Sequence, residues 1–379
     1  MNMKKSIILL SALFCLMACS EKKQTKVPLL DAKNFTTTID NKEVSLYTLE
    51  SGQGLYMQVT NFGARVVTLW APDKKGQYED VVLGFENIDR YAYNNEGERF
   101  FGPVVGRFAN RIAKGQFEID GQSYQLPINN NGQSLHGGLK GLDMVVWNVE
   151  NVTNNEIKLS YISPDGEEGY PGTVTFYVTY TLTQENEFVI NYSATTDKPT
   201  IVNLSHHGLF NLKGEGNGTI TDHILMLKAD GITPVDSVLI PTGEIASVEG
   251  TPFDFRIPTA VGQRINEDNI QLQNGGGYDH NWVISKETDG VELVATLYEP
   301  TSGRFMEVFT DQPGIQFYSG NFFTGQVKGK YNKAIKFREG LALETQKFPD
   351  SPNQPQFPST RLNPGEVYTQ TCIYKFSIK

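Results

Sequence analysis

Thr173-Val174-Thr175-Phe176-Tyr177-Val178-Thr179-Tyr180-Thr181-Leu182, followed by Phe188-Val189-Ile190-Asn191-Tyr192-Ser193-Ala194, decides the fold class. These runs are rich in β-branched and aromatic residues, the types that suit a pleated, half-buried surface. Similar runs recur at Ser45 to Leu49, Leu55 to Thr60, Val66 to Trp70, Val81 to Phe85 and Val291 to Leu297. Gly, Asn, Asp and Pro punctuate them, and Asp120-Gly121 and Pro164-Asp165-Gly166 tolerate the dihedrals of tight turns. No stripe of helical period is sustained beyond about three turns. Arg264 to Leu272 reads as one short helix. With no Pro/Ser-rich linker after Val27 and no internal repeat, residues 34–379 read as one large all-β domain, sandwich or barrel.

The chain starts with an address rather than with fold. Lys4 and Lys5 precede an apolar run from Ile7 to Met17, too short for a stable membrane span, and Leu16-Met17-Ala18-Cys19 ends it. Residues 1–19 read as a signal peptide whose end resembles a bacterial lipobox. Cleavage before Cys19 and lipidation of its thiol would anchor an exported protein to a membrane, on a periplasmic or cell-surface face. Residues 20–33 read as a flexible tether, since Glu21 to Lys26 is polar and charged.

Of three cysteines, two belong to the signal, leaving Cys372 alone. No intramolecular disulfide is available, so the fold rests on its core. A mature chain of about 360 residues is long enough to bury one. A formal net charge of −10 argues against a nucleic-acid partner. A monomer or weak dimer is the expectation for assembly.

Working outward along the chain, the chemistry concentrates in a few stretches. Thr200, Ile201 and Val202 read as strand and lead into Asn203-Leu204-Ser205-His206-His207-Gly208-Leu209-Phe210-Asn211-Leu212. Strand alternation places Asn203, Ser205 and His207 on one face, and Val202, Leu204 and His206 on the other. Imidazole is the side chain whose unperturbed charge switches near neutral pH. Gly106 to Ile112 holds Arg107, Asn110 and Arg111, and the planar guanidinium fork suits hydroxyls or carboxylates. Leu135-His136-Gly137-Gly138 is a glycine-rich loop where backbone approaches a ligand closely; it lacks the lysine and spacing of a phosphate loop. In Gly277-Tyr278-Asp279-His280-Asn281, Asp279 is a candidate acceptor for sugar hydroxyls. Gln316 and Tyr318 share one strand face, with Ile315 and Phe317 on the other. Leu341-Ala342-Leu343-Glu344 sets a carboxylate inside an apolar strand, costly unless paired or facing a cleft, and partial burial makes it a better base.

Six of these segments together resemble the aldose 1-epimerase, or galactose mutarotase, family: Gly-Arg-Phe-Ala-Asn-Arg-Ile at 106–112, Ser-Leu-His-Gly-Gly at 134–138, the His207 strand, Gly-Tyr-Asp-His-Asn at 277–281, Gln-Pro-Gly-Ile-Gln-Phe-Tyr-Ser-Gly-Asn at 312–321 and Leu-Glu-Thr-Gln at 343–346. They fall in the family's order. The resemblance implies a large antiparallel β-sandwich, the supersandwich, with a free monosaccharide bound in an open cleft. It implies Glu344 as general base, His207 as general acid, and Asn110, Arg111, His136, Asp279 and Gln316 as sugar-binding residues. It implies interconversion of the α and β anomers of aldoses such as galactose and glucose, with no metal and no organic cofactor. Ser205, His206 and Leu209 stand where Thr, Asn and Tyr are typical, so the surroundings of His207 differ from the family's.

Three other readings compete. A glycosidase needs two carboxylates, and Asp279 with Glu344 is the candidate pair. A metal hydrolase would recruit His136, His206, His207 or His280, but no metal-ligand spacing is present. A cell-surface sugar-binding lipoprotein would use the same scaffold without turnover, and would have no need of Glu344 as a base.

Overall fold

The computed structural model describes residues 27–93 and 99–379. Cys19, the expected signal peptide and the first half of the expected tether, residues 20–26, lie outside the described residues. The chain is already docked at its first described residues. Val27 is buried, and Leu30 exchanges two hydrogen bonds with the Gln58 side chain.

Two antiparallel sheets enclose the main core. The larger has nine strands, in spatial order Asn148–Val152, Glu156–Ser163, Val174–Leu182, Glu187–Thr196, Tyr368–Ile378, Arg304–Thr310, Glu292–Tyr298, Ile224–Leu227 and Thr259–Ala260. Its strand Val174–Leu182 alternates strictly: Val174, Phe176, Val178, Tyr180 and Leu182 are buried while Thr175, Tyr177, Thr179 and Thr181 are half-buried. One face packs inward and the other meets solvent, as the period of two dictates.

The second sheet has six strands, in spatial order Leu209–Phe210, Leu341–Gln346, Gly314–Tyr318, Asp279–Ile284, Ala229–Thr233 and Ala246–Ser247. Every residue of Leu341–Gln346 is buried, because that strand is covered on both faces. Its inward face gives Leu341 and Leu343 to the core shared with Tyr180, Phe188 and Tyr374 of the larger sheet. The opposite face carries the polar residues of the site. A four-stranded sheet, Leu46–Glu50, Tyr56–Thr60, Arg65–Pro72 and Tyr78–Asp80, extends the same core. Of the sandwich or barrel that the strand runs allow, the observed architecture is the all-β sandwich that the family resemblance implies.

The structure differs from the sequence expectation at three places. Val81 to Phe85 is extended but is no strand. It makes one isolated antiparallel bridge, Val82 to Phe210, with Val81 bonding Leu69 and Asn211, Leu83 bonding Leu209, and the buried Lys330 ammonium taking the Val82 carbonyl. The helix expected over Arg264 to Leu272 instead spans Ile270–Gly275. Asn269 caps it, accepting the Gln271 N–H, and Gly276 ends it in the left-handed region. The stretch from Thr200 to Phe210 is three two-residue strands, Thr200–Ile201, Ser205–His206 and Leu209–Phe210, which pair with three different partners. The face alternation survives these breaks.

Candidate active site

One cleft of about 240 Å³ is lined by Asn110, Arg111, His136, His207, Asp279, Gln316 and Glu344 together with Arg99, Phe100, Phe101, Leu209, Tyr318, Phe322 and Phe323. All seven residues singled out for catalysis and sugar binding therefore meet in one place, although more than 230 positions separate the first from the last. Sheet register accounts for part of this. Asn281, Gln316 and Glu344 lie directly opposite one another on three adjacent strands, and Asp279 is two residues from Asn281 on the same face.

His207 and Glu344 face each other with Nε2 to Oε1 at 3.6 Å. Both are buried. Burial pushes the Glu344 carboxyl well above its usual value; the nearby Asp279 charge adds to this and Arg111 opposes it. Burial lowers His207 to about 4. Taken alone, burial leaves one proton on the pair and favours the carboxyl as its holder.

The polar wall is cross-braced. Gln316 Nε2 donates to Asp279 Oδ1 at 2.7 Å, and Arg111 Nη2 lies 3.9 Å from Asp279 Oδ2. Arg111 Nε donates to Asn130 Oδ1. The backbone behind Arg111 is held by Asp350, which donates its N–H to the Arg111 carbonyl and accepts the Ala113 N–H. Asn110 and His136 both have left-handed backbones, φ 68° and 51°. For residues with a Cβ this is uncommon, and here each supports the other. The His136 N–H donates to the Asn110 carbonyl, and the Asn110 N–H donates to His136 Nδ1 at 3.0 Å.

That last bond fixes a tautomer. An N–H donor requires a lone pair on His136 Nδ1, so a neutral His136 carries its proton on Nε2 and is a donor there. Burial, then the His207 charge, hold it well below the usual imidazole value, and it stays neutral. His136, His207 and Glu344 bring one potential ligand atom each within 4.8 Å, a grouping the sequence spacing did not reveal. It fits a metal poorly. A metal-bound imidazole donates its outer N–H to an acceptor, whereas His136 Nδ1 already faces a donor. The donor set suits hydroxyl groups instead.

The remaining candidates are sorted by burial among apolar rings. His206 packs on Tyr180, Phe188 and Tyr374 in the core, and His280 packs on Phe253 and Trp282. Neither lines the cleft. Arg107, four residues before Arg111, points the other way. It is buried and donates to Ser163, Pro164, Pro171 and Gly172. Phe100, Arg99, Phe322, Phe323 and Asn130 were not legible as cleft residues, because an isolated loop aromatic or asparagine carries no periodic signal.

A family model described as aldose 1-epimerase matches residues 45–375. The chain belongs to the aldose 1-epimerase family. Among its relatives in that family, the galactose mutarotase of Mus musculus is 46% identical over 335 residues, covering 88% of this chain and 94% of the relative. The aldose 1-epimerase of Escherichia coli strain K12 is 34% identical over 339 residues, covering 89% and 96%. The solved structure of an aldose epimerase homologue from C. elegans superposes with TM-score 0.81 at 32% identity, over 88% of this chain and 99% of that one. A galactose 1-epimerase structure from Lactobacillus acidophilus gives 0.78 at 30%, over 90% and 97%. Of the three positions at which this epimerase-family chain is expected to depart from the family's pattern, Leu209 lines the cleft, while Ser205 and His206 do not.

Proposed function

We propose that this chain interconverts the α and β anomers of free aldoses such as galactose and glucose, with Glu344 and His207 exchanging protons with the sugar. The carrying observation is the 3.6 Å approach of the two groups on the cleft floor. Ring opening removes the proton from O1 and delivers one to the ring oxygen as the C1–O5 bond breaks and C1 becomes an aldehyde. Rotation about C1–C2 and reclosure reverse both transfers. Glu344 acts as the base at O1 and His207 as the acid at O5. That state arises when the pair's one proton sits on the imidazole, and the Arg111 charge favours it by stabilising ionised Glu344. Each transfer contributes roughly 10²–10⁴-fold. Asn110, Arg111, Asp279 and Gln316 hold the hydroxyls, and His136 donates from Nε2.

Polarimetry of the purified mature domain with freshly dissolved α-galactose, α-glucose, xylose and arabinose tests the reading. Accelerated change of optical rotation supports it. Sugar binding without acceleration would support capture without turnover, and release of reducing sugar from a disaccharide would support a glycosidase. The reading also includes export and lipid anchoring through Cys19. Cys19→Ala is expected to move the protein from the membrane fraction to the soluble one; an unchanged distribution sinks the anchor.

A further inference from the structure

We propose that Phe100 is a positioning residue for this reaction, holding the His207 and His136 rings in place through a clamp made by Arg99, Asp143 and Arg65. The inference rests on the acid/base reading above.

The three rings form one contact group. The Phe100 centroid lies 4.7 Å from that of His136, inclined at 61°, and 5.8 Å from that of His207, inclined at 36°. The two imidazoles are 5.1 Å apart and perpendicular. A benzyl side chain forms no hydrogen bonds, so it fixes its neighbours by shape and by keeping water from them.

Phe100, half-buried at the cleft wall, is itself braced from behind. The Arg99 guanidinium sits over its ring at 5.0 Å. Arg99 is bidentate to the buried Asp143, Nε to Oδ2 at 2.5 Å and Nη2 to Oδ1 at 2.8 Å, and its Nη1 donates to the Gly138 carbonyl in the His136 loop. Arg65, fully buried, donates to the carbonyls of Arg99 and Phe101, which flank Phe100, and to that of Asp143. The next residues pair with the backbone of His207: Gly102 N–H donates to its carbonyl, and its N–H donates to Pro103. The clamp thus holds the Gly138 end of the His136 loop, and it fixes the Arg99–Phe101 segment that carries the Phe100 ring and runs into the backbone partners of His207.

Proton transfer demands near-exact orientation, and a displacement of about 1 Å can cost on the order of 10²-fold. The charged and titratable groups acting on His207 are Glu344, His136, His206 and Arg65, with Arg99 acting on His136; the Phe100 backbone, which a side-chain substitution retains, also bonds His207. Removing the ring changes none of these charges. It changes only orientation and water access.

The test uses the full mature protein and polarimetry across pH. For Phe100→Leu the expected result is an unchanged fold by circular dichroism, a kcat lower by about tenfold or more, a KM for galactose within about twofold, and an acid limb moved upward as water reaches His207. Phe100→Tyr is expected to restore most of the rate. Arg99→Gln, at a partly exposed side chain, is expected to shift kcat and the limb in the same direction, and it serves if Phe100→Leu does not fold. Wild-type kcat and acid limb in Phe100→Leu would overturn the inference. So would a rise in KM alone, which would make Phe100 a sugar contact, or equal losses in the Leu and Tyr variants. A wild-type protein without mutarotation overturns the proposed function and this inference with it; an active wild type with any of those variant results overturns this inference alone.

Discussion

Two adjacent histidines differ here only in which way they face. His207 reaches the cleft and Glu344; His206 lies among aromatic rings with neither ring nitrogen hydrogen-bonded to protein. Glu344→Gln is expected to abolish turnover while sugar binding stays within a few fold, and His207→Asn to lower kcat severely. His206→Leu is expected to keep kcat and to leave Tm equal or higher, because it removes buried polar groups that have no partner. Loss of activity in His206→Leu equal to that in His207→Asn would end the face assignment. The rate should also report the pair's proton count. Under the proposed mechanism activity needs one proton shared between the two groups, since a second blocks the base and none leaves no acid. Burial lowers the imidazole limb to about 4 and raises the carboxyl limb well above its usual range. A bell-shaped profile of kcat/KM is expected, acid limb below the ordinary imidazole value, with both limbs belonging to the pair rather than to either residue. A single limb at the ordinary imidazole value would contradict this. The types and faces of these residues could be read from alternation. The tautomer of His136 could not, because it depends on a hydrogen bond from Asn110, 26 positions away.

Strands obey their sequence where one face is wet and the other is dry. Val174–Leu182 alternates as its residues require, and its ends fall within a residue of the expected run. Phe176→Ala on the buried face is expected to cost about 3–5 kcal/mol, and Tyr177→Ala on the outer face under about 1 kcal/mol. Denaturant unfolding measures both, and similar losses would mean that the outer face is covered. Val81 to Phe85 shows where the same reasoning stops. Four apolar residues around Gly84 suit a strand whether they pair along their length or at one point, and here a single bridge to Phe210 is joined by bonds to Leu69, Leu209, Asn211 and Lys330. The helix starts at Ile270 rather than at Arg264 for a local reason: the Asn269 side chain caps it by accepting the Gln271 N–H.

At the scale of the whole molecule, all five histidines of the chain are buried. Burial, the largest cause in each case, lowers every one: His206 and His280 to about 3, His207 to about 4, and His136 and His223 in the same direction. For a base whose folded value is depressed, the unfolded chain binds more protons below 6.5. The contribution to stability is therefore present above 6.5 and is lost as pH falls toward the folded values. Buried Glu215, raised to about 8 mainly by burial, has the opposite sign: its contribution is full below 4.5 and gone above about 8. Calorimetry should show Tm falling as pH drops from about 6.5 to 4.5, with a shallower slope in His206→Leu. An equal slope in that variant would mean that His206 is already protonated or solvated in the native state.

The all-β class, the face on which each candidate side chain stands, and the residue types proposed for proton transfer could be read from the sequence alone. Those properties follow from the two-residue period and from side-chain chemistry, which are local. The tertiary structure alone decided that seven distant residues share one cleft, that His136, His207 and Glu344 come within a few ångströms, that Arg107 braces loops while Arg111 meets Asp279, and that Phe100 packs on both imidazoles. Each of these depends on strand register and on long-range packing, where the free energy comes from contacts between segments and leaves no trace in the neighbouring sequence.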